Sequence, residues 1–342
     1  MLSFPSEAGE ALAVKRREFI TLLGGAAATW PLAARAQQTG AMRRIGVLVN
    51  NVETDPEVQR QIAAFLQSLE QLGWSEGRNV HIELRFSANN YEQLPNLAQE
   101  MVALNPDVIF ATTTPAVKAL QARTRTIPIV FMYMSDPVGA GVVSSLARPG
   151  GNITGFLLYE DSITGKWLGM LKEISPPLTR AALVANPKGF TYDYFLRSSK
   201  TIAPALRIEL VPAPVENDID IKRRIEAFAR SPNGGLFVPP DTTTVQHRDL
   251  VIALAAQLRL PAVYAFRYFA TAGGLMSYSI DIVEQNRQAA SYVDQILRGA
   301  NPAELPVQAP TKFKTFVNLK TARALGLDVP SLMLVRADEV IE

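Results

Sequence analysis

Short apolar runs and helically spaced apolar positions take turns along this chain. Ile45-Gly46-Val47-Leu48-Val49-Asn50 has the length and the branched residues of a strand. Glu57 to Leu72 then carries apolar residues at helical spacing and stops at Gly73. Asn79 to Phe86 alternates like a strand, and Leu94 to Leu104 returns to the helical period. Val108-Ile109-Phe110-Ala111 and Ile127 to Met134 are two further strands. Alternation of this kind predicts a parallel sheet with helices on both faces.

The run at 108–111 ends in Thr112-Thr113-Thr114 and then Pro115. A proline breaks a strand but suits the first turn of a helix, where its missing N–H is not needed. It also holds the residue before it extended, which is the conformation of a helix cap. The stretch therefore predicts strand, polar turn and helix, with Thr114 as the cap.

The pattern restarts further along. Arg180 to Asn186 is a strand like 44–50, Asp218 to Arg230 a helix, and Gly235 to Val238 a strand ending in "PPDTTTVQHRDL". A helix from about Thr242 to Leu258 leads through Pro261 into Val263-Tyr264-Ala265-Phe266. Two similar α/β lobes in series account for this, with "ARPGGNITGFLLYED" (147–161) at the handover. A length of 342 residues agrees, being too long for one average domain.

Composition narrows the chemistry. A hydrophobic share of 48% with 19% charged residues is ordinary for a globular protein. A net charge of +2, without a basic run in the body of the chain, gives no reason to expect nucleic acid. The absence of cysteine excludes disulfides, thiolate metal sites, a cysteine nucleophile and a lipid-modified N-terminal cysteine. Ahead of the first strand, Lys15-Arg16-Arg17-Glu18-Phe19-Ile20 opens an apolar stretch that runs to Ala34-Arg35-Ala36. This is the layout of a secretory signal peptide over residues 1–36, and its paired arginines resemble the twin-arginine export motif. Cleavage near Ala36 would leave a soluble periplasmic protein without a lipid anchor.

Catalytic and cofactor signatures are missing. Asn50-Asn51-Val52 stands where a dinucleotide site wants its glycines, and no P-loop or G-x-S-x-G occurs. The histidines, His81 and His247, are far apart and read as structural or solvated. No cofactor and no metal is expected. Polar residues do gather where strands end and helices begin, the place at which open α/β sheets bind ligands. They are Asn50 and Asn51, Thr112, Thr113 and Thr114, Ser135 and Asp136, Asn186, and Asp241 with Thr242. Free N–H groups and helix dipoles there suit an anionic group, and Asp136 or Asp241 suits an ammonium. Each residue could instead cap its own helix; taken together, two such faces closing on a cleft are the better account. Aromatic walls would come from Tyr159 and Tyr278, whereas Tyr133, Tyr264 and Trp167 read as core.

"RRIGVLVN", "LGWSEGRNV", "IPIVFMYMSDPVGAGVVSSLARPGGNITGF", "GGLMSYSID" and the long "ASYVDQILRGANPAELPVQAPTKFKTFVNLKTARALGL" resemble the solute-binding family of ABC transporters, of the tryptophan/tyrosine type. The resemblance runs from about Arg43 to the C-terminus. It implies a type I periplasmic-binding fold: two Rossmann-like lobes with parallel sheets, joined by three crossovers near Gly155–Glu160, Ser279–Glu284 and Pro306–Lys312. The N-terminal lobe would then comprise 43–157 plus 282–306, and the C-terminal lobe 158–281 plus 307–342. It further implies capture of a small amino-acid-like or aromatic solute by hinge closure, an ABC permease in the inner membrane as partner, a monomer, and no catalysis.

Within such a cleft Asn50, Thr112, Thr113, Thr114, Ser135 and Asp136 would face Tyr159, Asn186, Asp241, Tyr278 and Asp281. Thr113 and Thr114, with the helix start behind them, are the candidates for a carboxylate. Asp241 or Asp281 is the candidate for an ammonium. A two-lobed enzyme working through cleft carboxylates and a ligand sensor feeding a receptor are the alternatives. A LacI-type regulator is disfavoured, because an export leader occupies the place of its DNA-binding domain.

Overall fold

The computed structural model describes residues 42–160 and 162–342. The export signal expected over 1–36 lies outside them. Among the described residues twelve strands build two sheets, the first from β1 (Arg43–Val49), β2 (Val80–Phe86), β3 (Val108–Thr112), β4 (Ile129–Met134) and β5 (Ile153–Leu157). Between these strands run α1 (Pro56–Gln71), α2 (Leu94–Ala103) and α3 (Thr114–Gln121). The order β2-β1-β3-β4-β5 is parallel throughout, as alternating strand and helix require.

The chain then enters the second lobe through α4 (Ile163–Ile174), β6 (Arg180–Ala185), α5 (Tyr192–Ile202), β7 (Glu209–Pro214), α6 (Asp218–Ala229) and β8 (Gly234–Val238). It continues as α7 (Thr242–Gln246), α8 (Arg248–Gln257), β9 (Ala262–Tyr264), α9 (Arg267–Thr271) and β10 (Met276–Ile280). Helix α10 (Ile282–Leu297) follows, then β11 (Phe313–Asn318), α11 (Leu319–Leu325), α12 (Ser331–Arg336) and β12 (Glu339–Ile341). The second sheet has the order β12-β11-β10-β9-β8-β6-β7. It is not wholly parallel: β11 runs antiparallel to β10, because the chain comes back from the first lobe at the opposite end of the sheet.

Helix α10 belongs to the first core although it lies far along the chain. Ala289, Ala290, Val293, Ile296 and Leu297 pack with Val58, Ile62, Phe65 and Leu69 of α1 against β1, β3 and β4. The other face of that sheet is covered by α2 and α3 through Ala98, Met101, Val117 and Leu120. In the second lobe Trp167 is fully buried between Tyr159, Phe195 and Phe237, and its indole N–H donates to the Tyr278 carbonyl. The passage back to the second lobe comes slightly later than Pro306. Val307 N–H still donates to Leu146, and Gln308 exchanges backbone bonds with Gly155 and Leu157.

Two local features differ from the sequence-based expectation. The helix predicted over 242–258 is broken at His247, whose backbone (φ −105°, ψ 29°) leaves the helical region and separates α7 from α8. The cap of α3 is Thr113 rather than Thr114. Thr113 takes φ 72° and ψ 153°, which pushes Thr114 into the first helical position, and no side chain caps the helix. Its hydroxyl is engaged elsewhere, accepting from Asn50 Nδ2 at 3.1 Å.

Candidate functional site

The ends of β1, β3 and β4 face the ends of β8 and β9 across a cleft. The cleft holds about 860 Å³ of empty space, a figure that includes open solvent at its mouth. On the first lobe it is lined by Asp55, Gln61 and Tyr91, by Thr113, Thr114 and Pro115, and by Tyr133. On the second it is lined by Phe190, Asp241, Thr242, Arg248, Phe266 and Tyr268. Aromatic rings thus form much of the wall, with hydroxyls, carboxylates and one guanidinium between them.

Three of the expected site residues reach this space: Thr113, Thr114 and Asp241. Asp241 caps α7, its Oδ1 accepting from Thr244 N–H at 2.9 Å and its Oδ2 from Asn186 N–H at 3.1 Å. Burial pushes its carboxyl up to about 6 despite those bonds. Asn186 stands behind it, donating from Nδ2 to Thr243 Oγ1.

The other expected residues are turned away, each for a visible reason. Asn50 is fully buried and ties three strand ends together: its N–H donates to Thr112 Oγ1, its Oδ1 accepts from Ser87, and its Nδ2 donates to Thr113. Thr112 is consumed by the same knot. Ser135 is buried beside the turn, and Asp136 closes that turn by accepting from Gly139 N–H at 2.7 Å. Tyr159 lies in the second core, its hydroxyl donating to the Ala265 carbonyl and its ring beside Trp167 and Phe313. Tyr278 stacks on Phe313 at 5.3 Å with Lys166 over its ring. Asp281 caps α10 through Glu284 N–H and pairs with Lys314 at 3.1 Å, outside the cleft. The Lys314 ammonium thus already occupies the place beside Asp281 that a solute ammonium would take.

Tyr133, expected in the core, is instead a wall residue. Its φ of 63° falls where the β4–β5 register shifts, between Phe131 and Met134. An aromatic residue rarely takes that conformation. Here it is fixed by a hydroxyl that donates to Gln61 Oε1 at 2.9 Å and accepts from Asn286 Nδ2 at 2.6 Å.

Asp55 and Arg248 were not anticipated. Asp55 caps α1, accepting from Glu57 N–H, and its second oxygen takes Arg248 at 2.8 Å from the other lobe. Burial raises its carboxyl, but the bonds from Arg248 and from backbone N–H groups outweigh it and hold the group below the usual carboxylate range. The Arg248 guanidinium also lies 5.9 Å from the centre of the Tyr268 ring. Close by, Tyr91 of the first lobe and Thr242 of the second also line the cleft. An aspartate before Pro56 reads in sequence only as a helix cap, and nothing in the spacing pairs it with an arginine 193 positions away.

Two α/β lobes on either side of an aromatic and polar cleft make the type I periplasmic-binding fold. The chain belongs to the ABC transporter substrate binding protein family, whose model matches residues 45–341. It is similar to the tyrosine-binding protein of Clostridioides difficile, with 23% identity over 89% of this chain and 88% of that one. Among solved structures, a conserved domain protein of Vibrio cholerae matches at TM-score 0.81 and 28% identity, covering 87% of this chain and 99% of that one. An ABC domain from Streptococcus pneumoniae in complex with L-Trp matches at TM-score 0.82 and 22% identity, over 88% and 100%.

Proposed function

We propose that this protein is the extracytoplasmic receptor of an ABC importer and that its cleft takes an aromatic amino acid or a close analogue. The observation that carries the reading is the lining of the cleft, where Tyr133, Phe190, Phe266 and Tyr268 surround a few polar anchors. Aromatic faces hold a planar apolar side chain, and the anchors hold its polar end. The uncapped start of α3, with the Thr113 and Thr114 hydroxyls beside it, suits the carboxylate. Asp241 is buried without a cation against it among its bonded partners, and suits the ammonium. Family membership, and relatives described as a tyrosine-binding protein and as a complex with L-Trp, support the same class of solute. Loading would draw the lobes together, and a membrane permease would read the closed form.

The test is a thermal-shift screen of residues 42–342 against amino acids, aromatic acids and small organic anions. A solute at about a hundred times its dissociation constant adds roughly 2.7 kcal/mol of stability, a shift that is easily seen. Shifts confined to aromatic amino acids, and lost with their deaminated analogues, support the reading. A folded protein indifferent to every amino acid rejects it. Phe190 is 57% exposed and should be released at little structural cost. Phe190→Ala should therefore weaken aromatic solutes several-fold while leaving the ligand-free melting temperature unchanged.

A further inference from the structure

We propose that Asp55 and Arg248 are an affinity-setting pair that acts by latching the two lobes together, not by touching the solute. Their carboxylate and guanidinium meet at 2.8 Å, with 20% and 26% of the two side chains exposed, and they come from opposite sides of the cleft. Asp55 is the cap of α1 in the first lobe, and Arg248 opens α8 in the second.

The local setting of each residue supports an interlobe role. A carboxylate belongs at a helix start, where it complements the dipole, whereas a guanidinium there is disfavoured. Within its own lobe Arg248 has distant partners: the break at His247 sets it at the first position of a new helix, Asp249 is at 4.0 Å, and the Tyr268 ring centre is 5.9 Å from its guanidinium. Its close ionic partner is Asp55, delivered by the other lobe. Opening the cleft would separate the two groups and return Arg248 to an unfavourable helix start. Tyr91 of the first lobe and Thr242 of the second line the same cleft as the pair, and both partners of the pair are largely buried, so the contact is not an isolated surface ion pair. A pair formed only in the closed state raises the closed population before any solute arrives, and apparent affinity rises with that population. It also engages the one guanidinium lining the described cleft, which leaves a solute carboxylate to the α3 start.

The absence of cysteine makes the test clean. Gln99→Cys on α2 and Glu226→Cys on α6, both exposed, take a pair of spin labels, one on each lobe. Interlobe distances are then measured in the ligand-free protein by electron paramagnetic resonance. Asp55→Asn keeps the cap of α1 but removes the charge, and Arg248→Gln removes the other partner. Each should lower the closed-to-open ratio about tenfold, a size consistent with partly buried interfacial ion pairs. The double variant should be no more open than either single one, since the two groups act as a unit. Distance distributions that are the same in wild type and both variants overturn the latch, whatever the protein binds. The inference draws on the proposed solute site only for its second arm: solute dissociation should quicken about tenfold in both variants. If distances shift and no amino acid binds, the latch stands and the solute reading falls.

Discussion

Asp241 offers a measurable consequence of burying a carboxylate at the edge of the cleft. Its carboxyl titrates at about 6, against 3.8 for the free side chain, because loss of water outweighs the N–H groups of Thr244, Asn186 and Thr243. A folded-state value above the unfolded one means that the folded protein binds the proton more tightly. The stabilisation is therefore fully present below pH 3.8 and is lost as pH rises through 6. Between pH 7.5 and pH 4.5 the single group changes the folding free energy by about 2 kcal/mol, in favour of the acid side. Other carboxylates work the opposite way, Asp55 and Asp281 among them, so total stability does not isolate the effect. The difference between wild type and Asp241→Asn does, since asparagine also caps a helix and does not titrate. Urea denaturation of both proteins in half-unit pH steps should show wild type gaining about 2 kcal/mol on the variant as pH falls from 7.5 to 4.5. A flat difference, or a gain toward high pH, would show that the hydrogen bonds outweigh burial and would refute the reasoning.

Other outcomes follow from residues placed away from the cleft. Tyr159→Phe should cost about 1–2 kcal/mol through the bond lost to the Ala265 carbonyl. It should leave solute affinity within twofold by calorimetry, whereas a tenfold loss would restore Tyr159 to the site. Gly155→Ala should give little soluble protein on expression. Gly155 has φ 157°, and a Cβ there would stand 2.1 Å from the Phe131 carbonyl oxygen, a backbone atom that cannot step aside.

The lobes were legible because strands covered on both faces must read as apolar runs, and such runs recur between helically spaced stretches. The antiparallel β11 was harder: strand direction leaves no mark on a segment such as Phe313–Asn318, and only the path of the preceding chain decides it. The cleft was legible as a place more than as a set of residues. Polar residues at strand ends were found, but Asn50, Thr112 and Asp136 are used in holding those ends together. Tyr159 and Tyr133 traded roles because each lies near a strand end, and only the fold decides which ring turns inward. Tyr133 turns to the cleft through a left-handed backbone that no propensity favours. Asp55 and Arg248 could not be paired by any local rule, since the contact exists only when two lobes meet.

The return of α10 to the first lobe bears on how the chain is made. The apolar faces of Phe65 and Leu69 on α1, and of Val130 and Met132 on β4, are finished by Ala289, Val293 and Ile296. The edge of the same sheet is closed by Gln308, which bonds to Gly155 and Leu157 of β5. A ribosome that has synthesised the whole second sheet up to β9 has therefore still not supplied what the first lobe needs to bury. Through most of translation this protein carries an uncovered apolar flank, and a chaperone that shields it would find that flank in the half made first.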